Sequence, residues 1–381
     1  MKADILIIGA GVTGASVAYN LAKKGVKNIH VIEKSYLTSG ATGRCGAGVR
    51  QQWATPANCI MAKHSIEFFE HAKETLAYPG DIEFKQEGYL ILACTKEEDE
   101  QFTKNVKLQN SLGIPSKKLI PEEALKIVPH LNPQSFISAT YCQTDGHLNP
   151  FKMTDAYYQA AKRLGVTFHF FETVKEIVIN EGTIKKVITD KDIYETSLIV
   201  NAAGGYAHEI GLLAGVTIPV YSEKHEILAT EPIAYMQGPM VMSFSKNLYC
   251  QQVPHGSFLM GRSNPKALKD HDISATHEFL DDMAKTIMDI LPKVGELRVI
   301  RQWAGSYNMS PDKQPIICES PEQKGFYMAC GFSGHGFMFA PMTGLLLSEM
   351  ILNEPTTLET ASLHIDRFKY QTTHEVEKSV V

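Results

Sequence analysis

Ile5-Leu6-Ile7-Ile8-Gly9-Ala10-Gly11-Val12-Thr13-Gly14 is the stretch whose reading decides the fold. Its four aliphatic residues form a run short enough for a strand buried on both faces. Gly9, Gly11 and Gly14 make a G-x-G-x-x-G. Beyond it Val12, Ala15, Ala18 and Leu21/Ala22 recur at helical spacing, and Gly25 stops the helix. A second apolar run, Ile29 to Ile32, ends on Glu33, nineteen residues past Gly14. This is the register of a βαβ unit that holds a dinucleotide. Gly9 permits the tight turn, Gly11 lets the backbone approach a pyrophosphate, and Gly14 lets helix and strand pack closely. The helix N-terminus meets phosphate charge, and Glu33 accepts from a ribose hydroxyl. The unit alone leaves open whether the dinucleotide is FAD or NAD.

With 381 residues the chain has room for about two domains. Hydrophobic content of 44% and charged content of 21% are those of an ordinary globular protein. A net charge of −5 gives no reason to expect nucleic acid or an anionic membrane surface as a partner. Seven cysteines, an odd number without a C-x-x-C pair, point to reduced thiols in a cytoplasmic protein. Lys2 and the apolar run imitate a signal peptide, but the glycine fingerprint and Glu33 account for that run, and no transmembrane segment is expected. The histidines lack metal-ligand spacing, so no metal site is expected.

Outward from Glu33 runs a segment of small residues, Ser39 to Gln52, with glycines at 40, 43, 46 and 48 and arginines at 44 and 50. Such a backbone fits closely around a flat, polar ligand, because glycines admit close approach and arginines donate to oxygens. Thr55-Pro56 opens a helix expected to reach about Ala77. Helices are also expected at Lys96 to Leu112, from Pro121, from Asn149-Pro150 to Arg163 and at Thr276 to Leu291. Strand-like runs follow Gly88, at Ser138 to Cys142, Val166 to Phe171, Val174 to Ile179 and Leu198 to Ala203. Others lie at Val220 to Thr230, Leu248 to Gln252, Ser257 to Gly261, Arg298 to Trp303 and Phe326 to Cys330. The loop Gly331 to Phe337 precedes a helix expected from Pro341 to about Leu352. The order predicts an α/β chain: a Rossmann-type nucleotide domain with a β-rich domain inserted. Residues 1–82, 143–215 and 300–381 are expected in the first, and 83–142 and 216–299 in the second.

Several motifs occur together in one order: the fingerprint, Arg44-Cys45-Gly46-Ala47-Gly48-Val49-Arg50-Gln51-Gln52, Asn201-Ala202-Ala203-Gly204, Arg301-Gln302-Trp303-Ala304-Gly305, Ser310-Pro311-Asp312 and Gly331-Phe332-Ser333-Gly334-His335-Gly336-Phe337. From Asp4 to about Leu352 the chain resembles the D-amino-acid-oxidase-like (DAO) family of FAD-dependent amine oxidoreductases. Within that family it is most similar to the β subunits of heteromeric sarcosine oxidases and dye-linked L-proline dehydrogenases, and more distantly to glycine oxidase. The resemblance implies a glutathione-reductase-like FAD domain and a substrate domain whose mixed, largely antiparallel sheet roofs the flavin. It also implies hydride transfer from the carbon beside the substrate amine to flavin N5, followed by hydrolysis of the imine.

Matched motif by motif, the resemblance places Gly9, Gly11, Val12, Thr13, Gly14, Glu33 and Lys34 at the adenosine and pyrophosphate. Ser39, Gly40, Ala41, Thr42, Arg44, Cys45 and Gly46 would run beside the ribityl chain and ring. Val174, and Ala202, Ala203 and Gly204, would touch the nucleotide. Gly305, Gly331, Gly334, His335, Gly336, Phe337 and Met338 would surround the flavin, with the positive end of the following helix facing N1 and the C2 oxygen. Arg50 is the first candidate for the substrate carboxylate, against a flavin-facing or structural role. Tyr249 lies where relatives place a substrate-binding tyrosine. His225, His255 and His335 are candidates near the ring, against core or rim roles. Three positions depart from the pattern. Met338 replaces the lysine of monomeric sarcosine oxidases and Tyr307 an arginine of glycine oxidase. Gly305 replaces the cysteine that binds flavin covalently, so non-covalent FAD is expected.

The leading expectation is oxidation of a small amino or imino acid of sarcosine, proline, hydroxyproline or glycine type by a β-type subunit that passes electrons to an α-type partner. The alternatives are a stand-alone oxidase releasing peroxide and a flavin-relay subunit without turnover. An NAD-dependent dehydrogenase fits the first motif but not the loop at His335.

Overall fold

A strand made only of aliphatic residues needs cover on both faces, and the fold supplies it. The computed structural model describes residues 1–264, 266–370 and 376–379; the remainder of the expected segment 300–381 lies outside the described residues. Among them, Ile5–Ile8 is buried throughout and sits inside a six-stranded sheet. The order is Ile316–Glu319, Phe326–Cys330, Ile199–Asn201, Ile5–Ile8, Ile29–Glu33 and Thr167–Phe170. The last five run parallel, and Ile316–Glu319 is antiparallel to its neighbour.

Alternation along the central strand sorts its side chains. Ile5 and Ile7 join a core with the helices Val12–Lys23, Pro56–Glu70, Pro150–Arg163 and Gly336–Ile351. Leu6 and Ile8 join the opposite core under a three-stranded antiparallel sheet, Val174–Asn180, Thr183–Thr189 and Ile193–Glu195. Each such side chain contributes about 1.5–3 kcal/mol by burial. The helix Gly336–Ile351 packs tightly on Val12–Lys23 at Gly344, where a Cβ would stand 2.2 Å from Ser16 Oγ. That contact fixes the N-terminus of the later helix beside the glycine fingerprint.

A mixed sheet of eight strands builds the second layer system. Its order is Val299–Met309, Tyr221–Thr230, Phe258–Ser263, Leu248–Gln252, Met240–Ser243, Tyr89–Ala93, Ser138–Cys142 and Lys117–Leu119, with one parallel pair, Met240–Ser243 on Tyr89–Ala93. Leu90, Leu92, Val241 and Cys250 face a core shared with the helix His277–Ile290, whose Phe279, Met283, Ile287 and Ile290 form its buried stripe. Tyr89, Ile91, Met240, Met242 and Tyr249 occupy the other face.

Four local expectations change. The helix after the His335 loop begins at Gly336, with Pro341 inside it, because the Phe337 and Met338 side chains must enter the core and the helix tolerates one missing N–H. The helix from Pro56 stops at Glu70. His71 leaves helical geometry (φ −117°, ψ 12°), and the short turn Ala72–Thr75 directs Ala72 and Leu76 into the core of Phe69. Met240–Ser243 is a strand that the pattern did not single out. Val299–Met309 hydrogen-bonds along Tyr221–Thr230, so residue 300 falls within a strand of the larger sheet.

Candidate active site

The fingerprint turn is built as its spacing predicts. Gly9 adopts φ +108°, and a Cβ there would stand 2.4 Å from the Ala202 carbonyl oxygen, which places Ala202 to Gly204 directly against the turn. The Ala203 amide donates to Asn201 Oδ1 at 3.2 Å. Thr42 Oγ1 accepts the Val12 amide at 3.2 Å, so the segment Ser39 to Gly46 closes over the helix N-terminus at Gly11 to Gly14. Glu33 accepts from the amides of Ala10 (3.0 Å) and Ser35 (2.9 Å) and from Ser39 Oγ (3.3 Å). A carboxylate has about four lone-pair sites, which leaves room for a ribose hydroxyl. The Glu172 amide donates to the Glu33 carbonyl at 2.9 Å and brings Val174 to the same edge. Lys34 sits at the exposed rim with its ammonium 3.1 Å from the Tyr206 ring centroid.

The second half of the site is a cavity of about 70 Å³ between the two layer systems. Cys45 to Gly48 and Arg50 line one side, and Tyr89, Met240, Met242, Tyr249 and Tyr307 come from the large sheet. Ser333, Gly334, His335, Phe337 and Met338 close the end, where the helix Gly336–Ile351 begins. Gly334 is required there: its φ is +94°, and a Cβ would overlap the Tyr307 ring at 2.3 Å. Gly331 donates its amide to Asn308 Oδ1 at 2.6 Å, and the Ser333 amide donates to the Asn308 carbonyl at 2.8 Å. Gly305 lies under Arg44, where a Cβ would stand 3.0 Å from Arg44 Cβ. Arg44 Nη1 donates to the Ala304 carbonyl at 3.1 Å, and Trp303 Nε1 donates to the Arg44 carbonyl at 3.0 Å. Trp303 therefore ties the glycine-arginine loop to the sheet.

Arg50 is 4% exposed, and its guanidinium stacks 3.6 Å from the Trp53 ring. Nη1 donates to the Gln52 carbonyl at 2.6 Å and Nη2 to the Ser379 carbonyl. Among the described residues it forms no ion pair. His225 lies between two tyrosine rings, 4.1 Å from Tyr307 and 5.5 Å from Tyr249, with all three stacked nearly parallel. Burial pushes its pKa down to about 3. His335, packed on Trp53, is held well below the usual histidine range by burial and by the Arg50 charge. Neither imidazole finds a hydrogen-bond partner for its ring nitrogens among the described residues. Buried donors and acceptors of this kind are rare in native proteins, and a bound polar group satisfies them. Burial raises the Tyr249 phenol well above its ordinary range and pushes the Cys45 thiol up to about 11. At neutral pH the site thus presents one cation, two neutral imidazoles and protonated phenols.

His255 is not brought to the cavity. It is exposed on the turn between Leu248–Gln252 and Phe258–Ser263, because the hairpin carries it past the last paired residue. Sequence reasoning missed Trp53, Tyr89 and Asp145. Along the chain Asp145 reads with Gly146 as a turn dipeptide. Its fully buried carboxylate accepts from the Gln51 amide at 2.7 Å and from Gln52 Nε2 at 2.9 Å, fixing the loop that carries Arg50. Pairing of Gly48–Val49 with Gly146–His147 puts it there.

Burial pushes the Asp145 carboxyl from 3.8 up to about 6. The folded chain therefore keeps this proton at a higher pH than the unfolded chain does. The associated stability is complete below about pH 4 and is lost as pH rises through about 6. Asp145→Asn should escape that loss, shifting the stability difference in the variant's favour by up to about 3 kcal/mol between pH 4 and 7. Denaturant melts across this range test it; a pH-independent difference refutes the assignment.

The geometry fits FAD. The fingerprint cradle can take a nucleotide, Glu33 keeps a free acceptor site that a ribose hydroxyl could use, and the orphaned imidazole of His335 borders a cavity at a helix N-terminus. The family model described as FAD dependent oxidoreductase (DAO) matches residues 4–350. The chain is 37% identical to L-proline dehydrogenase from P. horikoshii, whose crystal structure gives a TM-score of 0.91 over 97% of this chain and 98% of that one. It is 23% identical over 371 residues to the sarcosine oxidase β subunit of Rhodobacter capsulatus, covering 96% of this chain and 88% of the relative. Against dimethylglycine dehydrogenase of Rattus norvegicus it is 25% identical over 398 residues, covering 99% of this chain but 46% of the longer relative. Fold, site and likeness converge: the chain belongs to the DAO family of FAD-dependent oxidoreductases.

Proposed function

We propose that this chain oxidises a small amino or imino acid of sarcosine, proline, hydroxyproline or glycine type at the carbon next to nitrogen, as the β-type catalytic subunit of a heteromeric dehydrogenase. FAD, held non-covalently, supplies the hydride acceptor at N5 when bound. The observation that carries the reading is Arg50, a buried guanidinium on the cavity wall with no carboxylate partner among the described residues. Two of its N–H groups are spent on backbone carbonyls. A guanidinium has five, and a buried cation whose nearest carboxylates, Glu377 and Asp145, stay out of ion-pair contact can take an anion directly. A substrate carboxylate there would be oriented by charge-assisted hydrogen bonds. The phenol of Tyr249 can donate to a second oxygen, and neutral His335 on the cavity wall, with neutral His225 stacked behind Tyr249 and Tyr307, adds no positive charge to compete with the amine. The N-terminus of the helix Gly336–Ile351 adds positive potential at the cavity end, where charge grows as hydride leaves the substrate.

The relatives named as an oxidase β subunit and as L-proline dehydrogenase support the substrate class and an electron-accepting partner subunit. Seven unpaired cysteines support a reducing, cytoplasmic setting. Among the described residues no helix is long and apolar enough to cross a membrane.

Anaerobic mixing with sarcosine, L-proline, hydroxyproline, glycine and D-amino acids tests the proposal. Bleaching of the flavin band by at least one of them is expected. Silence from all of them would leave only a flavin-relay role. Stoichiometric peroxide from the isolated chain in air would overturn the partner-subunit part and favour a stand-alone oxidase.

A further inference from the structure

The segment 376–379 lies against the start of the helix Pro56–Glu70 and reaches Arg50. Glu377 is fully buried and collects five hydrogen bonds. They come from the amides of Ala54 (3.1 Å), Thr55 (3.2 Å) and Ser379 (2.9 Å), from Thr55 Oγ1 (2.9 Å) and from Asn58 Nδ2 (3.0 Å). The Glu377 amide donates to the Asp312 carbonyl at 3.0 Å. Asp312 is itself held by a buried, bidentate Arg367, at 2.7 and 3.1 Å.

Capping of a helix start needs one acceptor, and Thr55 stands at the N-cap with a hydroxyl able to serve. That hydroxyl makes no cap bond and donates to Glu377 instead. The carboxylate therefore does more than finish the helix. It holds the backbone that presents the Ser379 carbonyl to Arg50 Nη2, while Gln52 takes Nη1 and Trp53 lies against the guanidinium face.

We propose that Glu377 is a positioning residue for Arg50: by anchoring the segment 376–379 it turns the remaining N–H edge of the guanidinium toward a substrate carboxylate in the cavity. The inference rests on the reading of Arg50 as the carboxylate donor. Without the anchor the guanidinium can rotate on the Trp53 face, and the loss falls on carboxylate binding rather than on cofactor retention.

Acetate, a carboxylate with no oxidisable C–N bond, is the probe, and its binding is followed by perturbation of the flavin spectrum in the holoprotein. Glu377→Gln keeps the side-chain shape but turns an amide nitrogen toward a cluster of donors. It should weaken acetate binding by roughly tenfold at unchanged flavin content. Arg50→Lys should also weaken it, and adding Glu377→Gln to Arg50→Lys should cost no more, because the residue acts through the fork that lysine lacks. A purely structural carboxylate would instead give additive losses or a lower flavin content, and either result overturns the proposal. Unchanged acetate binding in Glu377→Gln, with weakened binding in Arg50→Lys, overturns the positioning role alone. Unchanged or absent acetate binding throughout removes the Arg50 reading and this proposal with it. If Glu377→Gln gives no folded flavoprotein, Glu377→Asp, which keeps the charge and shortens the reach, carries the same cycle.

Discussion

Gly14→Val is expected to purify without flavin. A Cβ at residue 14 would stand 2.0 Å from the Gly9 carbonyl oxygen and 3.5 Å from the Ile7 side chain. The first obstacle is backbone, at a turn already committed to φ +108°, so no flexible side chain can yield. Either the helix Val12–Lys23 lifts off the strand or the turn opens, and both displace the amides that meet phosphate. Overpacking of this kind costs typically 1–3 kcal/mol or more, about ten- to a hundredfold in affinity per 1.4–2.8 kcal/mol. Gly25→Ala is the control. Gly25 has φ +93° with open space around it, so the variant loses about 1–2 kcal/mol of stability to backbone strain and keeps its colour. The ratio of the visible flavin band to protein absorbance reads both. Full flavin content in Gly14→Val would show that the helix is not seated as described.

Arg50→Ala should lose most of its catalytic efficiency while leaving flavin bound. Removing one partner of a buried, hydrogen-bonded charge pair costs about 2–5 kcal/mol, so kcat/KM should fall by roughly 10²–10³-fold or more. Most of the loss should appear in KM, since the contact is made in both ground and transition states. Arg50→Lys should fall between, retaining charge but not the planar fork. The check is steady-state kinetics with an artificial dye acceptor, using the amino acid that bleaches the flavin anaerobically. A KM within twofold of wild type in Arg50→Ala, roughly 0.4 kcal/mol, would remove Arg50 from the site.

The parts of the fold legible in the sequence are those decided locally. Ile5 to Glu33 carries its strand, turn, helix and acid in one contiguous run, and the stripe Phe279, Met283, Ile287 and Ile290 declares its own buried face. The hidden parts depend on register between distant segments. His225 and His255 look alike along the chain, yet pairing with Gly305 and Ser263 seats the first between two tyrosines, while the second rides out on a turn. Asp145 looked like turn chemistry, because only the pairing of Gly48 with His147 shows that its carboxylate faces inward. Met240–Ser243 is four residues long and follows Pro239, and it becomes a strand through its parallel neighbour Tyr89–Ala93. Pro341 misplaces the start of the helix Gly336–Ile351, because a proline rule that works at a first turn yields where core packing by Phe337 and Met338 prevails.

The position of Ile5–Ile8 in the middle of its sheet has a consequence for how the chain is made. One neighbour, Ile29–Glu33, emerges from the ribosome soon after it, but the other, Ile199–Asn201, arrives only after Tyr89–Ala93, Lys117–Leu119 and Ser138–Cys142 of the larger sheet have been synthesised, and Phe326–Cys330 arrives after all eight of that sheet's strands. A nascent chain therefore exposes an unpaired parallel edge for much of translation, with long loops to close before that edge is satisfied. Folding should be slow and chaperone-dependent, and FAD, if it bridges the completed turn and the loop at His335 as proposed, would act as a late ligand that draws the finished topology out of the ensemble.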